Sequence, residues 1–286
     1  MKRIINILLL SIITGQVFAQ NEGRIGFFTG VNKTILSNAK DAAFGDYVPT
    51  YKPTIGVDAG YHFTLFKTLP MGISVQLAAN RLGQNYYGKY QDSTEYYAYS
   101  RLNYIRPGLA IHFGSNPRRL VAFTFAGGAT YGLLTGYQER YELIRYNNDR
   151  FVFDIKNNDV EWYDTVKTKG TLTAPLYNKT DLTVFGSLGI DVMLTRNLVF
   201  GISGRFDYGL SQVENRNKMN INFETNPPST IPFQPYNMNI KYRGPVDINA
   251  KRDPTSNTFY GIYLSLKYRI YNREKIEFWY KEHKWD

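Results

Sequence analysis

Between Asp181 and Val213 the chain reads DLTVFGSLGIDVMLTRNLVFGISGRFDYGLSQV, a stretch that alternates with a period of two on both sides of one short break. Leu182, Val184, Leu188, Ile190, Val192 and Leu194 share one face; Thr183, Ser187, Gly189 and Asp191 share the other. After Thr195, Arg196 and Asn197 the pattern resumes, with Leu198, Phe200, Ile202, Phe206, Tyr208 and Leu210 against Ser203, Arg205 and Asp207. Successive side chains of a strand point to opposite faces, so each arm is a long strand with one apolar side. The three residues between them form a tight turn.

The same alternation recurs along the chain. It predicts strands at about 24–32, 54–66, 71–83, 101–114, 120–137 and 258–271, eight with the hairpin. The connections between them run long, short, long, short, long, short, long. In an outer-membrane barrel the turns are short on the periplasmic side and the loops long outside, and the strand number is even. Pro107 falls on the apolar face of the fourth strand, where it removes a ladder donor and predicts a bulge or weakened pairing.

Period two does not say which face meets lipid; the composition of the polar face does. That face is rich in Gly, Ala and Ser, as a cramped interior requires, and eight strands are just wide enough for side chains to fill the lumen. The apolar face carries almost no charge, as lipid demands. Tyr61, Phe63, Phe113, Tyr131, Tyr208, Tyr260 and Tyr268 lie near strand ends, as interfacial aromatic girdles do, and the chain holds 24 Tyr and 18 Phe in all. The expected fold is an all-β, closed, antiparallel, up-and-down transmembrane β-barrel of eight strands, or ten if a hairpin within 138–180 joins the ring.

Residues 1–19 read as a signal peptide: Lys2 and Arg3, then an apolar run from Ile4 to Ile13, then Val17-Phe18-Ala19. The run is too short for a spanning helix, which needs about 20 apolar residues. Residues 20–271 form the barrel and 272–286 a charged periplasmic tail. The predicted location is the bacterial outer membrane, with outer-membrane lipids as partners and other cell-envelope or secretion proteins as further candidates. The formal charge of +10 could suggest nucleic acid, but an exported barrel meets lipid headgroups and polysaccharide instead.

Inward-facing charges define the candidate site. Arg24, His62, His112, Asp191, Lys267 and Arg269 are expected in the periplasmic half of the lumen, and Asp58, Arg106, Arg205 and Asp207 nearer the middle or outer half. They can be a proton-relay cluster or, more simply, a mutually neutralising plug, since buried charges must be paired. Cysteine is absent, there are only three His, and no His-x-x-x-His spacing occurs, so no catalytic residues, metal ligands or cofactor are predicted. Gly186, Gly189, Gly201 and Gly204 sit inside strands and do not form a phosphate loop. The long connections, above all Glu139–Lys167 with its aromatic and charged mixture, are the candidate recognition surface.

Three segments carry a family resemblance: FGSLGIDVMLTRNLVFGISGRFDYGLSQV, LVAFTFAGGATYGLLTG and GRIGFFTGVN. Through their glycine and aromatic spacing the chain resembles the PorT-like outer-membrane barrels of the Bacteroidota. The resemblance implies a barrel without transferable catalytic residues and a possible link, held by one branch of the family, to type IX protein secretion and gliding. The long third and fourth loops and the tail depart from the family's compact pattern.

Overall fold

The computed structural model describes residues 22–37, 47–65, 69–90, 94–114, 120–144, 150–163, 167–172, 175–215, 221–223 and 255–271. The predicted signal peptide and tail lie outside these residues. Among the described residues fourteen strands occur, in chain order: β1 (Glu22–Ser37), β2 (Tyr47–Val48), β3 (Tyr51–Leu65), β4 (Leu69–Leu82), β5 (Asn85–Tyr90), β6 (Thr94–Gly114), β7 (Val121–Ile144), β8 (Arg150–Lys156), β9 (Asp159–Tyr163), β10 (Lys167–Leu172), β11 (Thr180–Met193), β12 (Leu198–Gly209), β13 (Ile221–Phe223) and β14 (Ser256–Tyr271).

Eight of them close a ring in the order β7-β11-β12-β14-β1-β3-β4-β6, with β6 returning to β7. Every neighbouring pair is antiparallel. The first and last strands are themselves neighbours, with Glu22 opposite Tyr271 and Ser37 opposite Ser256. Closure leaves no unpaired edge in the membrane-crossing part, which is what hydrocarbon requires of a sheet.

The outward faces carry the predicted apolar rows. Ile25, Val57, Val75, Leu109, Phe123, Leu188, Ile202 and Ile262 are all exposed, Leu109 to 61%. So large a continuous apolar surface is stable only against lipid. Opposite them, the alternate residues turn into the lumen, where Phe28, Ala78 and Tyr263 pack together. The hairpin turn after β11 is held by Leu194 and Thr195, whose amides donate to the Leu198 carbonyl at 2.9 and 3.1 Å.

The ring has eight strands; the stretch 138–180 does not open it to ten. Strands β6 and β7 are 21 and 24 residues long, about twice the 9–11 residues a membrane crossing needs. Their upper parts stay paired, from Leu102 with Tyr137 to Glu95 with Ile144. Beyond the ring, β5 and then β2 add to β6, while β8, β9, β10 and β13 add in turn to β7. The result is an outer sheet rising from the end of the barrel that carries the long connections. Tyrosine-rich 86–100, expected as a connection, forms the β5–β6 hairpin because its Tyr-rich alternation lacks the apolar contrast of a lipid-facing strand.

Pro107 interrupts the β6–β7 ladder, which has no pair at Arg106 and Pro107. The register shifts a few residues further up, between Asn103 and Tyr104, where Thr135 is the extra residue of β7. Its hydroxyl donates to the Asn103 carbonyl at 3.0 Å. Gly83 ends β4 at φ +128°, and a Cβ there would run into the Ser100 carbonyl. Only glycine adopts this backbone without strain.

Candidate functional site

The lumen holds three polar groups, one above another. The periplasmic one is a chain of charges. Glu22 accepts from Arg24 Nε at 2.5 Å through one carboxylate oxygen and from Arg269 Nε and Nη2 at 2.9 and 2.5 Å through the other. Arg24 Nη1 lies 3.7 Å from Asp191 Oδ2. Asp191 in turn takes both its bonds from Lys267 Nζ, at 2.8 and 3.0 Å. Three cations and two carboxylates leave one positive charge over, and Asp58 faces it, close to Lys267 and Arg24.

Asp58 was expected nearer the middle or outer half, but it joins this lower group. Asp58 stands opposite Gly26, and Gly26 opposite Lys267. The bare glycine between them leaves the room its carboxylate occupies, since a Cβ at Gly26 would meet Asp58 Oδ1. Beside this chain the His62 and His112 rings lie 5.4 Å apart, and His112 Nε2 is 2.6 Å from Ser74 Oγ. Glu22, Arg24, Asp58, Asp191 and Lys267, with His62, Ser74 and His112, line a cavity of about 150 Å3.

At mid-depth Arg205 binds Asp207 through two parallel bonds of 2.8 Å each. Its third nitrogen donates to Gln76 Oε1 at 3.0 Å, and its guanidinium stacks over Phe185 at 3.7 Å. The planar fork makes this bidentate, stacked geometry possible, and lysine could not reproduce it.

The upper group centres on Arg106, 1% exposed, and Asp181, fully buried. Arg106 Nη2 pairs with Asp181 Oδ2, and Nη1 donates to Thr183 Oγ1 at 3.1 Å. Asn257 Nδ2 and Ser211 Oγ complete the Asp181 carboxylate at 2.8 and 2.9 Å. Tyr104 and Phe259 flank the guanidinium at 4.7 and 5.4 Å. Above this, Tyr177 bonds Glu139, and the Tyr137 hydroxyl accepts from the Leu176 amide at 3.1 Å. These contacts tie the 175–178 segment across the mouth.

All ten inward residues singled out from the sequence occur in one or other of these groups. Sequence reasoning missed Glu22, Asp181 and Asn257. Glu22 and Asp181 continue the inward parity of Arg24 and Thr183, and extending the alternation by one step would have found both. Asn257 likewise continues the inward parity of Tyr263, Lys267 and Arg269, one residue before the predicted strand begins. Among the described residues no group of three or more His, Asp or Glu is arranged to hold a metal ion.

A closed antiparallel ring with an apolar outer wall, a charged lumen and long connections at one end defines an outer-membrane β-barrel. Residues 18–215 match the family described as outer membrane protein beta-barrel domain, and the chain belongs to it. Its location is the bacterial outer membrane. Among curated protein sequences none matches the chain.

Solved structures similar to it include Ail, the attachment invasion locus protein of Yersinia pestis, crystallised with the heparin analogue sucrose octasulfate. That likeness has 10% identity, covers 88% of this chain and 99% of that one, and has a TM-score of 0.36. Neisserial surface protein A is similar at 9% identity, 86% and 96% coverage and a TM-score of 0.33. OprG from Pseudomonas aeruginosa is similar at 12%, 88% and 96%, and 0.32.

Proposed function

We infer that the protein is a non-enzymatic structural or interaction component of the outer membrane, of the PorT-like kind found in Bacteroidota and associated with type IX protein secretion. One observation carries the interaction reading: buried ion pairs fill the lumen at three depths, whereas β6 and β7 continue far outside it into a broad sheet. Contact surface lies outside the barrel rather than within it. The secretion link rests on the resemblance of the three glycine- and aromatic-spaced segments.

Co-purification of the tagged, full-length protein from its own outer membrane, followed by mass spectrometry, tests this. Recovery of secretion or gliding components supports the reading, and a protein that comes out alone overturns it. The same outer sheet favours a second reading, a ligand-binding or transport barrel that captures a small molecule or glycan with its outer loops. Planar-bilayer recordings without single-channel steps would remove the transport half of that alternative.

A further inference from the structure

The ladder between β3 and β4 stops at Thr54 opposite Asn80. Above that row β3 continues along β1 to Tyr51, and β4 continues along β6 to Leu82. The two strands have therefore parted at the outer end of the barrel wall. Three cations gather at this parting. Lys52 stands in the inward row of β3, opposite the buried Asn32, where the gap beside it opens; it is half-buried and close enough to Arg101 and Arg81 to be repelled by both. Arg81 and Arg101 are exposed on the outer face. None of the three forms an ion pair with a described residue.

Both arginines are nonetheless held in place. Arg81 donates through Nε to Asn103 Oδ1 at 3.2 Å, and Arg101 lies over the Tyr99 ring at 4.3 Å. Each is anchored by one edge or face, which leaves the terminal nitrogens for another partner. Like charges fixed together without counter-ions are unfavourable alone and favourable around an anion. Arginine is suited to phosphate because its fork donates two parallel bonds.

The rows above and below name the kind of anion. Register runs unbroken from β4–β6 into β5–β6, pairing Leu77 with Pro107, Ala79 with Ile105, Arg81 with Asn103, and then Tyr87 with Tyr97. Up this outer face the wall is first aliphatic, then cationic, then aromatic. Tyr87 and Tyr97 are exposed with ring centroids 4.9 Å apart. That order is the order of parts along a phosphorylated glycolipid: acyl chains, phosphate, sugar. The carboxylates nearest on this face are Asp154, which accepts from Gln138 opposite Arg101, and Glu142, opposite Tyr97; both already face Arg140, at 4.0 and 3.6 Å.

We propose that Arg81 and Arg101, with Lys52 behind them at the gap and Tyr87 and Tyr97 above them, form a binding site on the outer wall for a phosphorylated glycolipid of the outer leaflet. The site is independent of any secretion role. It would fix the rotation and depth of the barrel and place the outer sheet against the lipid's sugars.

The test uses the full-length protein folded in detergent and titrated with diphosphoryl lipid A or phosphatidylglycerol by native mass spectrometry. R81Q/R101Q should bind diphosphoryl lipid A at least tenfold more weakly than the parent, by the usual contribution of a basic residue near an anionic surface. K52Q should weaken it several-fold, and R196Q, at the opposite end, should not change it. Y87A/Y97A should reduce the preference for diphosphoryl lipid A over phosphatidylglycerol and leave phosphatidylglycerol binding unaltered. Parent affinity retained in both R81Q/R101Q and K52Q would overturn the proposal. So would equal affinity of the parent for the two lipids. Heat-modifiability on gels verifies that each variant is folded.

Discussion

Asp191 on β11 takes two hydrogen bonds from the Lys267 ammonium on β14, across 76 residues of sequence and the whole width of β12. The same carboxylate lies 3.7 Å from Arg24 on β1. One acidic side chain thus neutralises cations from two other strands of the ring.

Asp191→Leu takes from Lys267 both its hydrogen bonds and leaves Arg24 with Glu22, Asp58 being the other carboxylate nearby. Breaking a buried pair by removing one partner costs about 3–5 kcal/mol; because Lys267 is partly accessible from the cavity, the lower end is expected. Ser187→Ala, on the same inward face of β11, should change stability by less than about 0.5 kcal/mol. Urea-unfolding midpoints in detergent distinguish the two. Equal midpoints would refute a charge-paired lumen.

Arg106 and Asp181 allow a sharper test because both are almost wholly buried. Arg106→Met alone and Asp181→Leu alone should each destabilise by about 3–5 kcal/mol, whereas the double variant should recover a large part of the loss. A double-mutant cycle on unfolding free energies measures the recovery. Strict additivity would mean that the two side chains do not act as a pair.

The orientation of the wall is checked at Leu109 and its neighbour Ala110, one facing out and the other buried. Leu109→Arg puts a cation near the middle of the apolar band and should cost about 2–4 kcal/mol of folding free energy in vesicles. Folding yields equal to the parent would place that face away from lipid.

Gly83→Ala should destabilise by about 1–3 kcal/mol, since its positive φ is one that side chains resist. The added Cβ would also strike the Ser100 carbonyl, whose own amide donates to Gln84 O at 2.8 Å. The damage should begin at the β4–β5 junction. Hydrogen exchange of the β5–β6 hairpin, faster in the variant than in the parent, is the expected readout.

How far this molecule could be read in advance depended on distance along the chain. A period of two is a local property, enforced by the pleat of each strand, so the alternation in 181–210 disclosed its two strands, their apolar face and the turn at Thr195–Asn197 without reference to anything else. The alternation of long and short connections extended that to an even-numbered barrel. The outermost parts of β6 and β7, residues 94–100 and 138–144, were not legible in this way. Outside lipid nothing requires one face to be aliphatic, and Tyr-rich strands there look like loops.

Sequence by itself thus determined which residues face lipid and which face the lumen, because pleat geometry sends neighbours to opposite sides. Which inward charges meet was decided only by tertiary structure. Glu22 reaches Arg269 across 247 residues because the ring closes β1 onto β14, and Asp58 joins Lys267 because β1 presents Gly26 between them. Register around a closed barrel is a collective property of all eight strands, set by shear and tilt together, and no single segment carries it.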